Sequence, residues 1–282
     1  MTTDQLTPTR RPAPPADVRV ESLRVGYGAA PIVDGIDLAV PTGAVSAIVG
    51  PNGCGKSTLL KTMARVLSPD AGRVLLDGES VHRMSTRRVA RLLGLLPQSS
   101  AVPEQLTVRD LVERGRFPHR GMFTAWTADD RTAVSDALEA TGMTELADRP
   151  VDELSGGQRQ RAWIAMVLAQ QTPILLLDEP TTYLDLAHRL EILRLLRTLN
   201  RERGVTVVMV LHDLVEACRY SDHLIAIRDG AIYASGSPAE VITPETVSAV
   251  FGVDCVTIPD PVSGMPIVVP TEPELAESDT SS

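Results

Sequence analysis

The run Gly50-Pro51-Asn52-Gly53-Cys54-Gly55-Lys56-Ser57-Thr58 constrains this chain more than any other stretch. It fits the spacing G-x-x-x-x-G-K-[ST] at every fixed position. Its flanks agree with it. Ala44 to Val49 is short, apolar and β-branched, as a buried strand should be, and Ser57 to Leu67 is predicted to be a helix with Leu59, Leu60 and Met63 on its apolar face. A strand that runs through a glycine loop into a helix aims backbone N–H groups and a helix N-terminus at one point, which suits a polyphosphate. Gly50, Gly53 and Gly55 let the backbone approach phosphate oxygens with no Cβ in the way. Lys56 would put its ammonium on the β- and γ-phosphates, and the Ser57 hydroxyl would bind Mg²⁺.

Lysine is rare here. Only Lys56 and Lys61 occur, and every other permanently cationic side chain is arginine. An ammonium is a compact point charge that fits inside a tight loop, where a planar guanidinium does not. A lysine kept at position 56 therefore reads as required by the loop.

Bulk properties exclude several classes. At 282 residues the chain has room for one large α/β domain or two small ones. Its formal net charge is −9, which argues against broad nucleic-acid binding. Cys54, Cys218 and Cys255 are odd in number and lack metal-ligand spacing, so a reducing compartment without a disulfide framework is expected. No apolar run is long enough to cross a bilayer, and the N-terminus lacks an apolar signal core.

Along the chain, residues 1–16 read as a disordered tail, 17–270 as the folded domain, and 271–282 as a disordered acidic tail. Strands are expected at Asp17 to Val25, Ile36 to Val40, Gly72 to Leu76, Gly94 to Gln98, Ile174 to Pro180 and Val205 to Leu211. A hairpin is expected around Asp229-Gly230, and two more strand-like pieces at Cys255 to Ile258 and Pro266 to Val269. Ser85, Thr107 and Thr127 are placed to cap helices at Arg87 to Leu93, Val108 to Arg116 and Ala128 to Ala140. Further helices are expected from Ser155 to about Gln170, from Asp185 to Arg203 with Ile192, Leu195, Leu196 and Leu199 on one face, and near Glu245 to Phe251. The helical part spans about 99–165. Strands alternating with helices imply a parallel sheet covered on both faces, with ligands beyond the carboxyl ends of its strands. The phosphate loop, Asp178 with Glu179, Gln98 and His212 each follow an expected strand, so four separate segments converge on one rim.

That rim has the chemistry of nucleotide hydrolysis. One carboxylate is needed to hold Mg²⁺ and a second to orient and deprotonate water; Asp178 is assigned to the metal and Glu179 to the base. Gln98 can ligate Mg²⁺ or the attacking water, and His212 can donate to the γ-phosphate.

With these residues in place the chain resembles the ATP-hydrolysing subunit of an ATP-binding-cassette (ABC) transporter. The decisive piece is Leu154-Ser155-Gly156-Gly157-Gln158, which is similar to that family's signature motif. The resemblance implies a RecA-like parallel core sheet, an N-terminal antiparallel β part and an inserted helical subdomain that carries the signature. It implies that Ser155, Gly156, Gly157 and Gln158 bind the γ-phosphate held by a second copy, that Tyr27 stacks on adenine, and that Leu184-Asp185 crosses the dimer interface. Arg114 to His119, Trp126, Thr181 to Asp185 and Asp260 to Pro266 resemble the importers of ferric siderophores and other iron complexes, with cobalamin and haem importers as close relatives. The implied partners are a second copy in a head-to-tail pair, an integral membrane permease and, indirectly, a substrate-binding protein. The implied place is the cytoplasmic face of the cell membrane, as a peripheral subunit. Alternatives are a non-transport ABC ATPase acting on ribosomes or DNA, and an exporter ATPase. The region from Ser99 to Trp126 is expected to dock the permease; the rival is that Phe117, Phe123 and Trp126 pack the helical part.

Overall fold

The computed structural model describes residues 16–28, 30–98, 106–121 and 125–271. The expected tails at 1–16 and 271–282 lie outside these residues except for Ala16, which is buried in the core, and Thr271, whose N–H donates to Asp254 O at 2.9 Å; the start of the helical part at 99–105 and Phe123 also lie outside.

Two sheets share one core. The first is antiparallel, in the order β2-β1-β4-β5, built from β1 (Val18–Gly26), β2 (Pro31–Val40), β4 (Ala71–Leu76) and β5 (Glu79–Ser80). In β1 the buried residues alternate with exposed ones, as expected of a strand with one wet face. The second sheet has six strands in the order β10-β9-β3-β8-β7-β6. Its members are β3 (Val45–Val49), β6 (Leu93–Leu96), β7 (Ile174–Asp178), β8 (Thr206–Val210), β9 (His223–Arg228) and β10 (Ala231–Gly236). β9, β3, β8, β7 and β6 run parallel, and β10 returns antiparallel to β9 through Asp229-Gly230. Every residue of β3, β7 and β8 is buried, because both sheet faces are covered.

One face of the parallel sheet packs on helix α1 (Lys56–Met63) and the antiparallel sheet; Ile48, Leu59, Leu60 and Met63 join Val18, Leu23 and Val74 in one cluster. The other face takes α6 (Leu186–Arg203), α7 (Leu214–Tyr220), α8 (Pro238–Val241) and α9 (Pro244–Phe251), through Val49, Leu177, Ile192, Leu196 and Ala217. A third cluster joins the helical layer, α3 (Val108–Arg114), α4 (Ala128–Ala140) and α5 (Gly156–Ala169), through Leu111, Val134, Leu138 and Ala165. Helix α2 (Thr86–Leu92) and the hairpin of β11 (Cys255–Pro259) and β12 (Pro266–Pro270) complete the fold. This is the α/β phosphate-loop architecture that the sequence implied.

The caps form as expected. Ser85 accepts from the Arg88 N–H, and Thr107, Thr127 and Ser155 each close a capping box with the residue three positions on. Each such cap is worth about 1 kcal/mol. Several boundaries differ. Helix α1 stops at Met63 rather than Leu67, because Arg65 turns to φ 60° and ends the ladder. Strand β2 begins at Pro31 rather than Ile36, β6 ends at Leu96, two residues short of Gln98, and α3 ends at Arg114. On α6 the buried residues are Ile192, Leu193, Leu196 and Asn200, and Leu195 and Leu199 are only half-buried. Asn200 tolerates burial because its amide donates to Gly43 O at 2.7 Å and Val205 O at 2.9 Å. The three cysteines are free thiols.

Candidate functional site

Strand β3 delivers the glycine loop to the carboxyl edge of the parallel sheet. Gly50 leaves the strand at φ 153°, and a Cβ there would stand 2.2 Å from Ile227 O, so only glycine fits. Gly55 precedes α1 at φ 105° and supplies no side-chain cap, and the first turn of α1 contains no acid. The helix N-terminus is thus left open to an anion. Lys56 lies buried along the loop, and its Nζ donates to Gly50 O at 2.9 Å and Pro51 O at 2.7 Å. Asn52 and Gly53 form the exposed lip, Cys54 packs inward, and Thr58 is buried within α1.

The end of β7 faces this loop. Asp178 is fully buried, and its Oδ1 accepts from Ser57 Oγ at 2.7 Å. Its Oδ2 is buried with no hydrogen-bond partner among the described residues, and Lys61 Nζ stands 3.8 Å from it. Burial pushes the Asp178 carboxyl above the usual range, with a further push from Glu179, although Ser57 and Lys61 pull the other way. An orphaned carboxylate oxygen beside a serine hydroxyl is the donor set that a hard divalent cation prefers, so these residues fit Mg²⁺.

Glu179 turns sharply out of β7 at φ 54°, a left-handed conformation that costs an ordinary residue roughly 1–2 kcal/mol. The turn aims its carboxylate at the rim. Glu179 Oε1 lies 2.7 Å from His212 Nε2, and Oε2 accepts from Thr182 Oγ1 at 3.1 Å. The Gln98 amide also donates to it. Burial pushes the Glu179 carboxyl up, but the bonds from His212, Thr182 and Gln98 outweigh it and hold the group below the ordinary range. Gln98, Glu179 and His212 therefore come together, as the strand ends implied. Thr182 was not singled out from the sequence; its place three residues after a strand-end acid, across a turn, was the available signal.

The remaining candidates lie apart from this cluster. Tyr27 follows β1 with 64% of its surface exposed. Ser155 and Gly156 are exposed at the start of α5. Ser155 Oγ accepts from the Gln158 N–H at 3.3 Å, which leaves its own proton to donate, whereas Gln158 Oε1 accepts from the Ser155 N–H at 3.1 Å. A Cβ on Gly157 would stand 3.2 Å from Leu184 Cδ2, so the signature turn rests on the loop after β7. Gln160 Nε2 strengthens this contact by donating to Pro180 O at 3.2 Å. Asp185 caps α6, accepting from the His188 N–H at 3.0 Å, and Tyr183 beside it is 81% exposed.

The family model described as ABC transporter matches residues 33–182, more than half of the chain. This chain belongs to the ABC transporter family. The cassette is 52% identical over 266 residues to the ferric enterobactin transport ATP-binding protein FepC of Escherichia coli (strain K12), covering 93% of this chain and 98% of that relative. Its fold is similar to a solved metal-chelate type ABC transporter in an inward-facing conformation, with a TM-score of 0.77 and 28% identity over 91% of this chain and 98% of that one. It is also similar to the ATP-binding cassette MJ0796, solved as a dimer in a post-hydrolysis state with ADP and Pi, at a TM-score of 0.71 and 29% identity over 78% of this chain and 98% of that one. Among the described residues of the cassette, no helix is long and apolar enough to cross a membrane.

Proposed function

We propose that this chain hydrolyses ATP to energise uptake of ferric siderophores or related iron complexes through a separate membrane permease. The observation that carries hydrolysis is the facing of two acids of opposite character: Asp178 with an orphaned buried oxygen beside Ser57, and Glu179 ionised and held by His212. The cargo reading is supported by the likeness to FepC along nearly the whole of both chains.

In this reading the loop amides and Lys56 bind the β- and γ-phosphates, and Lys56 trades its two carbonyl partners for phosphate oxygens. Ser57 and Asp178 would hold Mg²⁺, with Gln98 at its margin; the ion, when bound, offsets phosphate charge. Glu179 takes the proton of a water that attacks the γ-phosphorus as the bond to the β-phosphate oxygen breaks, and ADP and phosphate leave. His212 and Gln98 orient Glu179 before nucleotide binds. Tyr27 stacks on the base.

The signature turn serves a second copy. Its open face is exposed, and it belongs to the helical layer rather than to the rim. Two chains in a head-to-tail, two-fold arrangement would hold each ATP between Lys56 of one subunit and Ser155 with Gly157 of the other. The permease contact is assigned to the turn at Phe117–His119. Phe117 is 61% exposed there, while Arg87 Nε and Arg91 Nε each donate to Pro118 O at 2.9 Å and His119 Nε2 lies 2.7 Å from Gln170 O. Trp126 packs against the helical layer under Arg120, whose guanidinium is 4.5 Å from the ring centroid, so for Trp126 the packing role is the better supported. The chain then works as a peripheral subunit at the cytoplasmic membrane face.

Two measurements test this. Glu179→Gln protein should dimerise in sedimentation on adding Mg-ATP and separate without it; monomers at saturating Mg-ATP would count against the shared site. Cells lacking this subunit should lose uptake of a radiolabelled ferric siderophore and keep uptake of radiolabelled cobalamin, and the reverse pattern would replace the cargo.

A further inference from the structure

The edge of the parallel sheet opposite the nucleotide rim carries a second concentration of charge. A concavity of about 260 Å³ lies between the last half of α6 and the end of α7, lined by Arg194, Arg197, Thr198, Arg201, Arg219 and Tyr220. Four guanidiniums around one hollow are unusual in a chain whose net charge is −9. The spacing explains how they meet. Positions 194, 197, 198 and 201 fall on one face of α6, and the end of α7 brings Arg219 and Tyr220 against it.

The four arginines divide into two kinds. Arg197 and Arg219 have structural partners: Arg197 grips Asp222 with both arms, Nη2 standing 2.6 Å from Oδ1, and Arg219 pairs with the buried Asp260 at the tip of the β11–β12 hairpin. Asp222 in turn accepts from the Val45 N–H at 2.9 Å, at the foot of the phosphate-loop strand. Arg194 and Arg201 are different. Among the described residues neither makes an ion pair, although the Arg201 charge acts through space on Asp222, and the acids beside them on α6, Glu191 and Glu202, form none with them. Some surface arginines sit beside carboxylates, as in Arg19 with Asp17, Arg73 with Glu21 and Arg109 with Asp148; what marks Arg194 and Arg201 is that they share one hollow with two more arginines. Four arginines against Asp222 and Asp260 leave the hollow about two positive charges in excess, which attracts an anion most strongly at low salt.

We propose that this hollow binds a small multiply charged anion bearing phosphate or carboxylate groups, of the size of a linear oligophosphate. Arg194 and Arg201 meet its charge, and their planar forks match tetrahedral or carboxylate oxygens in pairs. The Thr198 and Tyr220 hydroxyls complete the donor set. The size favours this class: at about 260 Å³ the hollow is at the small end for organic ligands. Nucleic acid is disfavoured, because the positive surface is one hollow on an acidic chain rather than a stripe. The site lies at the far end of β3 from the phosphate loop, so it does not share the nucleotide.

The probe is tripolyphosphate, titrated calorimetrically at low salt into the full chain carrying Lys56→Ala, so that the phosphate loop contributes as little as possible. One saturable event per chain is expected, weakening steeply with added salt. Adding Arg194→Ala and Arg201→Ala should weaken it at least tenfold while the melting curve is unchanged; in the otherwise unaltered chain the same pair of substitutions should leave ATP affinity as it was. Retained binding in the arginine variant, or no saturable event at all, overturns the proposal. A second arm uses a chain ending at Thr271, without the acids at 272, 274, 277 and 279. Unchanged tripolyphosphate affinity supports a free anion as the ligand. A tenfold gain on truncation would instead assign the hollow to the chain's own acidic end, and would overturn it.

Discussion

His212 Nε2 stands 2.7 Å from Glu179 Oε1, and the two residues come from the ends of different strands, β8 and β7. The histidine helps to keep the carboxylate ionised despite its burial.

Glu179→Gln should keep ATP binding and lower turnover on the order of 10²–10⁴-fold, the usual cost of losing a general base. His212→Ala should cost less and shift the acid limb of the pH–rate profile. A general base at Glu179 would work in its ionised form, so activity should fall as pH drops through its pKa. Without His212 that pKa rises, and the limb moves to higher pH. A steady-state profile that keeps its acid limb in place would remove His212 from this role.

Asp178→Asn should stop Mg-dependent turnover and yet raise stability, by roughly 0.5–2 kcal/mol in chemical denaturation at neutral pH. Burial holds the folded-state pKa of Asp178 above its unfolded value. The folded state is therefore penalised at pH above that raised value, and the penalty fades as pH falls through it. The advantage of the variant should shrink on acidification in the same way. A variant less stable than the parent at neutral pH would mean that the bond from Ser57 outweighs the burial of charge.

Tyr27→Ala should raise the ATP concentration for half-maximal activity and leave the maximal rate unaltered. Stacking of a base on an aromatic ring is worth roughly 1–3 kcal/mol. The ring is well exposed, so its loss should not move the melting temperature. An unchanged half-saturation point would show that the base lies elsewhere.

Asp130→Ala should destabilise the helical layer by about 3–5 kcal/mol, since it strands a buried guanidinium. Arg116 Nε lies 2.9 Å from Asp130 Oδ1 with both side chains almost fully buried, and Arg116 Nη1 also donates to Ala169 O at 2.8 Å. The loss should be largest in amide exchange of α3, α4 and α5. A uniform loss across both sheets would indicate one cooperative unit instead.

The rim was legible because its parts have fixed positions relative to strands: a glycine loop, an acid pair, a glutamine and a histidine each follow an apolar run. The antiparallel sheet followed from the resemblance rather than from periodicity, and the strand order was not read from the sequence at all. What escaped was polar or short. Helix α7 has a buried Glu216 within seven residues and so shows no clean apolar stripe, although Asp213 caps it through the Glu216 N–H at 3.0 Å. The inward face of α6 was misjudged because a satisfied asparagine takes the place of a leucine. The contact of Gly157 with Leu184 joins segments far apart in sequence, and no local pattern announces it.

That contact gives the chain a built-in crosstalk. Thr182 touches the base of its own site, and Leu184, two residues later, rests on the glycine turn that would face the partner's nucleotide. In the proposed head-to-tail pair, the loop Pro180 to Leu184 would carry a change at one Glu179 to the glycine turn that faces the opposite ATP.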